Sequence, residues 1–248
     1  MVQGYSEIPK KNPFFSSNLK LLKPKDPLLY KKVLKTAPSA VIKERLFDGE
    51  QILLVTVSGK DGQPLVFHSK KSNRNVLRLT SYKVLKDYDV VVIEGFGLGE
   101  HIQEIIDASS DSTFILVIEQ SIEFFREIIN YVDLKPFFIE RVSLSVNELP
   151  FQASRKRLED YFGVYAIKDM KVFRNPASIE LAPDYYKEID RQLEELSEVA
   201  KQNQATLKKF SGTWQRHILS NLKSVVTEPG INELFNKFEG IPAILVSA

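Results

Sequence analysis

The chain has 248 residues, of which 43% are hydrophobic and 27% charged, enough for one large cored domain or two small ones. Its 34 basic and 32 acidic residues leave a formal charge of +2, so no broad positive field marks it as a nucleic-acid-binding protein. The lack of cysteine excludes disulfides and thiol catalysis, and no apolar run has the length of a membrane span. We therefore expect a cytoplasmic protein with no nucleic-acid or membrane partner, and no metal site built from its 3 histidines.

The first third of the chain predicts an arm, a short helix and a β-meander. A Pro- and Lys-rich start favours an extended arm up to Asp26, which can cap a helix that begins at Pro27. Tight turns at Asp48-Gly49 and Asp61-Gly62 then separate three β-like segments. These segments are 40–47, 51–58 and 63–69.

In the middle of the chain, strands and helices alternate, which predicts a Rossmann-like α/β domain with a mainly parallel sheet. Strands are expected from Asp89, from Phe114 and over 137–146. Helices are expected over 72–86, through Ile102–Ile106, and over 121–131 and 151–162.

The last quarter predicts a helical linker. Apolar residues at helical spacing indicate a long amphipathic helix over 183–210, a second over 213–226 and a short third from Pro229 to Phe238. A buried-type strand over 241–248 then predicts the start of a truncated further domain. The expected division is an arm and helix at 1–38, the α/β domain at 39–180, the linker at 181–239 and the truncated domain at 240–248.

The most specific local pattern joins the Asp89 strand to the helix after it. Gly95, Gly97 and Gly99 follow a run of β-branched residues, so the backbone can turn tightly and present helix N–H groups to a phosphate or ribose. Glu119 ends the next apolar run, where doubly wound folds hold a ribose hydroxyl. These four residues are candidate ligand contacts.

Several interpretations of the glycine turn stay open. A dinucleotide fold needs a third glycine at the position of Glu100, and a methyltransferase using S-adenosylmethionine usually has its acid at the position of Ile93 rather than Glu94. The glycines can equally serve only to pack the helix close to the strand.

Three further side chains are candidate contacts near this turn. His101 lies at the start of the helix, where an imidazole can reach a ligand phosphate or bind backbone instead. His68 and Lys70 follow the third β-like segment, either as a polar loop beside the glycine turn or as an exposed strand end.

Motifs spread over most of the chain resemble the Maf-type motility-associated flagellin glycosyltransferases. The segments similar to that family's N-terminal domain are 67–70 (FHSK) and 95–101 (GFGLGEH). Those similar to the start of its central domain are 214–222 (WQRHILSNL), 229–234 (PGINEL) and 240–248 (GIPAILVSA). After the His-Ser-Lys stretch the family often has Tyr-Asp/Asn-Pro, whereas this chain has Lys71-Ser72-Asn73.

The resemblance implies a parent protein that transfers a nonulosonic acid from a CMP-activated donor to serine or threonine of flagellin. It implies flagellin and a nucleotide sugar as partners, and a catalytic site in the central domain rather than in this chain. A monomer or weak dimer is expected. Two alternatives stay open: the glycine turn itself binds S-adenosylmethionine or a nucleotide, or the domain is a non-catalytic module that docks flagellin.

Overall fold

The computed structural model describes residues 14–37, 42–48, 51–59, 62–68, 82–163, 167 and 169–227. They belong to two units, residues 1–201 and 202–248, and both sheets lie in the first. The α-helices are α1 (Phe15–Lys25), α2 (Pro27–Lys35), α3 (Glu100–Ala108), α4 (Ile122–Ile128), α5 (Arg157–Phe162), α6 (Pro176–Leu181) and α7 (Pro183–Thr227). The strands are β1 (Ile42–Asp48), β2 (Gln51–Ser58), β3 (Pro64–His68), β4 (Val90–Glu94), β5 (Phe114–Glu119), β6 (Val142–Val146) and β7 (Met170–Arg174).

A four-stranded parallel sheet in the order β6-β5-β4-β7 forms the centre of the first unit. Every residue of β4 and β5 is buried, because helices cover both faces of the sheet. The chain runs outward from β4 through β5 to β6 and then returns to place β7 on the other side of β4. The direction of winding therefore reverses between β4 and β7, and the predicted Rossmann-like α/β class is confirmed.

The predicted β-meander is also confirmed as an antiparallel sheet in the order β1-β2-β3. The meander is tied to α4 in two ways. Arg45 forms an ion pair with Glu127 at 2.6 Å, and the ring of Phe67 lies 4.2 Å from that of Phe124. The meander therefore packs against α4 and forms a sheet separate from the parallel one.

Two hydrophobic cores lie on opposite faces of the parallel sheet, because successive side chains of a strand alternate between faces. Val91 and Ile93 of β4 pack in a large core with α3, α4 and the meander. Val90 and Val92 pack in a smaller core against the first half of α7, which supplies Tyr186, Ile189, Leu193 and Leu196. Glu94 shares the parity of Val90 and Val92, so its side chain belongs on the α7 face.

The prediction of an extended arm up to Asp26 is wrong for residues 15–25, which form α1. Buried Asn18 holds this Lys-rich helix against the loop after α4. Its Nδ2 donates to the backbone oxygens of Ile129 and Val132 at 2.8 Å each, and its Oδ1 accepts from the Leu134 N–H at 2.9 Å. One amide thus satisfies three backbone groups of the loop after α4. The predicted Asp26 cap is confirmed, since its Oδ1 accepts from the Leu29 N–H at 2.9 Å.

Other predicted elements change in the middle of the chain. The strand predicted over 137–146 is shorter and follows a 3₁₀ turn at Lys135–Phe137. The helix predicted over 151–162 is interrupted by a π-helical segment, Gln152–Lys156, directly before α5. Strand β7 had no counterpart in the prediction, because its five residues, MKVFR, neither alternate regularly nor form a continuous apolar run.

The two helices predicted over 183–210 and 213–226 form one continuous helix, α7, so Ser211-Gly212 does not break it. No helix within the described residues is both long and apolar enough to cross a membrane. The helix predicted over 72–86 is described only as a 3₁₀ turn at Tyr82–Asp87. The predicted third linker helix and the strand over 241–248 lie outside the described residues.

We expect the Asn18→Ala variant to lose about 3 kcal/mol of unfolding free energy, because three buried backbone groups lose their partner. Urea denaturation followed by circular dichroism measures this loss. The control is Ser17→Ala, one position earlier on the exposed side of α1, for which we expect little change. Equal stability of the two variants would contradict the anchoring role of Asn18.

Candidate functional site at the glycine turn

The glycine turn lies at the carboxyl end of β4, at the point where the winding of the sheet reverses. Gly95, Gly97 and Gly99 have φ values of 96°, 53° and 80°, a region that favours glycine. The Gly95 N–H donates to the Ile118 oxygen at 2.8 Å, which holds the start of the turn against β5. The predicted strand, turn and helix are therefore present, at the position where doubly wound folds usually bind ligands.

Side chains from the segment after β7 close on the first two glycines. A Cβ at Gly95 would lie 2.3 Å from the Ser178 Oγ and 2.8 Å from the Asn175 Cβ. A Cβ at Gly97 would lie 2.5 Å from the Asn175 Nδ2. Asn175 is itself fixed, because its Oδ1 accepts from the N–H groups of Ala177 and Ser178 and so caps α6. The first two glycines thus accommodate the start of α6.

The third glycine packs against the other side of the turn. A Cβ at Gly99 would lie 3.0 Å from the Val132 Cγ1 and 3.3 Å from the Phe137 ring. A depression of about 230 Å³ lies beside it, lined mainly by apolar side chains that include Ile52 and Tyr131. Its volume is below the usual range for ligand pockets, so it offers little room for a nucleotide.

Glu119, the predicted ribose contact, is only 1% exposed. Its carboxyl group binds backbone N–H groups of the turn and of the residues that follow β5. Its Oε2 accepts from the Phe96 N–H at 2.9 Å, and its Oε1 accepts from the Ser121 N–H at 3.0 Å. Burial raises the pKa of Glu119 to about 7, although these hydrogen bonds oppose the rise. In this arrangement Glu119 joins the glycine turn to the start of α4, and its ribose role stays a prediction.

His101 also binds the turn. Its Nε2 lies 3.2 Å from the Gly95 oxygen, so the tautomer with a proton on Nε2 donates to that carbonyl. Burial lowers the pKa of His101 to about 4. The imidazole is therefore neutral at physiological pH, which leaves it without the positive charge that would attract a phosphate.

The other two predicted contacts are described less completely. His68 is the last residue of β3, and the placement of its side chain lies outside what the structure describes, as does all of Lys70. The strand β3 contacts α6, the helix that supplies Ser178. The predicted polar loop at 68–70 stays a prediction.

A buried acidic group that was absent from the predicted contacts lies next to the turn. Glu94 ends β4 with a fully buried side chain whose oxygens lack a well-directed hydrogen bond among the described residues. The Arg174 Nε lies 3.2 Å from the Glu94 Oε2, and the same guanidinium forms an ion pair with Asp190 of α7. Burial, together with the nearby charge of Asp190, raises the pKa of Glu94 to about 8, although Arg174 opposes the rise. The sequence signal for this buried acid was its position at the end of an otherwise apolar strand.

Within the described residues, no cluster of three or more His, Cys, Asp or Glu side chains could hold a metal ion. No model of a known protein family matches the chain. No curated protein shows detectable similarity to it either.

We expect Gly97→Ala to lower the unfolding free energy by about 3 kcal/mol, since a new Cβ meets the Asn175 amide and φ is positive. The matched control is Gly62→Ala, where φ is +75° and nothing lies within 4 Å. That variant carries only the backbone cost, about 1 kcal/mol. Urea denaturation of both variants measures the difference, and equal losses would show that Asn175 does not crowd Gly97.

The buried Glu94 carboxyl predicts a loss of stability at alkaline pH. Folding raises its pKa from 4.5 to about 8, so its stabilising contribution is complete below pH 4.5 and is lost as the pH rises through about 8. Because the pKa of Glu119 is about 7, most of the stability that its own titration removes is already lost below pH 7. Between pH 7 and pH 9 we expect the wild type to lose about 1 kcal/mol more than Glu94→Gln.

Chemical denaturation at the two pH values tests this expectation. Glu180→Gln, on the exposed side of α6, is the matched control and should follow the wild type. A Glu94→Gln variant that loses as much stability as the wild type would contradict the raised pKa.

Proposed function

We propose that this chain is a non-catalytic N-terminal domain of a protein similar to the flagellin-modifying glycosyltransferases, and that it contributes to flagellin recognition rather than to sugar transfer. The proposed similarity rests on the motifs at 67–70, 95–101, 214–222, 229–234 and 240–248. The observation that supports a non-catalytic role is the closure of the glycine turn by Asn175 and Ser178.

A turn that binds phosphate needs free space and free N–H groups next to its glycines. Here Asn175 and Ser178 fill the space beside Gly95 and Gly97, and the Phe96 N–H already donates to Glu119. A nucleotide in this place would have to displace the residue that caps α6. These contacts favour the interpretation in which the glycines serve close packing.

In the parent protein, transfer would proceed by attack of a flagellin hydroxyl on the anomeric carbon of the sugar, with CMP leaving. That reaction requires groups that stabilise the departing phosphate and accept the proton of the hydroxyl. His101 is neutral and bound to backbone, and Glu119 is bound to backbone N–H groups. Their contacts support a structural use of both side chains in this domain.

A second candidate function is nucleotide or S-adenosylmethionine binding at the same turn. The turn lies at the point of the sheet where doubly wound folds bind ligands, and buried Glu94 and Ser178 beside it have side-chain oxygens without hydrogen-bond partners among the described residues. This function requires the segment at Asn175 to move away from the glycines.

Calorimetric titration of the chain with CMP, a CMP-nonulosonate and S-adenosylmethionine separates the two candidates. For a packing role we expect no saturable binding of any of the three, together with saturable binding of unmodified flagellin monomer in a parallel pull-down. Nucleotide binding that Gly97→Ala abolishes and Gly62→Ala leaves intact would overturn the non-catalytic role. Absence of flagellin binding would contradict the recognition role independently.

A further inference from the structure

Residues 202–227, the helical part of the second unit, have an unusual charge composition. The stretch contains no Asp or Glu, and its basic residues are Lys208, Lys209, Arg216 and Lys223. The whole chain, by contrast, is nearly balanced in charge, with 34 basic and 32 acidic residues. This stretch of α7 therefore has no acidic side chain of its own to pair with its lysines and arginine.

The same stretch exposes a continuous apolar face. At 3.6 residues per turn, six large apolar residues fall within an arc of about 120°. They are Leu207, Phe210, Trp214, Ile218, Leu222 and Val225, each between 39% and 76% exposed. Leu219 and Val226, also exposed, widen this face on one side. For a helix in water, such a face is costly unless something covers it.

Most of the basic residues lie on the opposite side of the helix. Lys209, Arg216 and Lys223 lie within an arc of about 40° opposite the centre of the apolar face, and Lys208 lies at the edge of that face near Leu219 and Val226. The aromatic rings lie near the middle of the apolar face, where Phe210 and Trp214 stack with centroids 6.1 Å apart. A helix with separated basic and apolar faces, and Trp and Phe on the apolar one, is typical of helices that lie in a membrane interface.

We propose that residues 202–227 bind an anionic lipid surface, with the apolar face inserted and the basic residues directed to the headgroups. The expectation of no membrane partner rested on the lack of a spanning segment, which does not address a helix that lies along the surface. Long lysine and arginine side chains can reach the headgroups while their methylene groups stay against the apolar layer.

Two features favour a lipid surface over a second copy of this helix. A second copy could cover the apolar face, but it would bring no acidic residue to pair with the four basic ones, whereas anionic headgroups offer that charge. The apolar face also follows a period close to 3.6 residues, with 18 residues from Leu207 to Val225 making about five turns. That period gives a straight face suited to a flat surface, whereas a two-helix coil needs a period of about 3.5.

Trp214 is the only tryptophan of the chain and therefore reports directly on this face. The experiment adds vesicles of phosphatidylcholine with about one-third phosphatidylserine, or of phosphatidylcholine alone, to the whole chain. We expect a blue shift of the tryptophan emission and co-sedimentation with the anionic vesicles, and at least about tenfold weaker binding to the neutral ones. High salt should weaken the anionic binding.

Variants separate insertion from charge attraction. Ile218→Ser with Leu222→Ser should abolish binding, because it removes two apolar contacts from the inserted face. Lys208→Glu, Lys209→Glu and Lys223→Glu together should also abolish it. The control with the same change in charge, Lys31→Glu, Lys86→Glu and Lys135→Glu, alters exposed lysines of the first unit and should bind like the wild type.

Three results would overturn the proposal. These are no binding to either vesicle, binding that the Ile218 and Leu222 changes leave intact, and loss of binding in the Lys31, Lys86 and Lys135 control. The second result would instead indicate a general affinity for polyanions such as nucleic acid. Circular dichroism of each variant checks that the helix is retained. None of these outcomes depends on whether the proposed function is correct.

Discussion

The arrangement of the first unit depends on the Glu119 carboxylate, which is held beneath the glycine turn. Two backbone N–H groups, from Phe96 in the turn and from Ser121 at the start of α4, converge on it. Without this acceptor, both donors would be buried unpaired next to the two most buried strands of the sheet. The position that nucleotide-binding folds use for a ribose contact is used here to join two helices to the sheet.

Closure of the turn follows from the placement of β7. Because β7 lies beside β4, the residues after it reach the glycines. The Asn175 N–H continues the ladder by donating to the backbone oxygen of Glu94 at 2.8 Å. Asn175 then caps α6, and Ser178 in that helix lies against Gly95. Gly95 and Gly97 are required because the start of α6 comes so close, an explanation that needs no ligand.

The same geometry places a costly group on the α7 face of the sheet. The strand parity that directs Val90 and Val92 toward α7 also directs Glu94 there, where Arg174 and Asp190 are its charged neighbours. Arg174 lies between two acids, so it cannot fully compensate both, and the buried one retains a proton more readily. A hydrophobic residue of similar size would avoid this cost.

Sequence patterns predicted the elements whose signal is local. The apolar runs of β4 and β5, the strands of the meander and the Asp26 cap are each specified by neighbouring residues, and the structure confirms them. Gly49 and Asp61 of the two predicted Asp-Gly turns lie outside the described residues. Elements that depend on distant partners were missed. Helix α1 docks through Asn18, whose partners are more than 100 positions away, and β7 becomes a strand because β4 offers an open edge. Local propensity carries neither kind of information.

The candidate site shows the same limit. The glycine spacing predicted a tight turn, but only the position of Asn175 and Ser178 in space shows that the turn is filled. Glu94 was visible as an acid at the end of a strand, yet its burial depends on α7, which begins about 90 residues later. A motif fixes which conformations the backbone can adopt, whereas the occupancy of the space beside it depends on the whole fold.

The two parts of α7 differ in how their charges are used. In the first unit, acids of the helix pair locally, as Glu188 does with Arg191, and with the sheet, as Asp190 does with Arg174. These pairs accompany an apolar face that is already buried against β4 and β5. In residues 202–227, by contrast, the apolar face is exposed, and the positive charges have no acidic partner within the stretch. An anionic lipid surface would bury the apolar face and pair the positive charges, because it offers an apolar layer beneath a layer of negative charge.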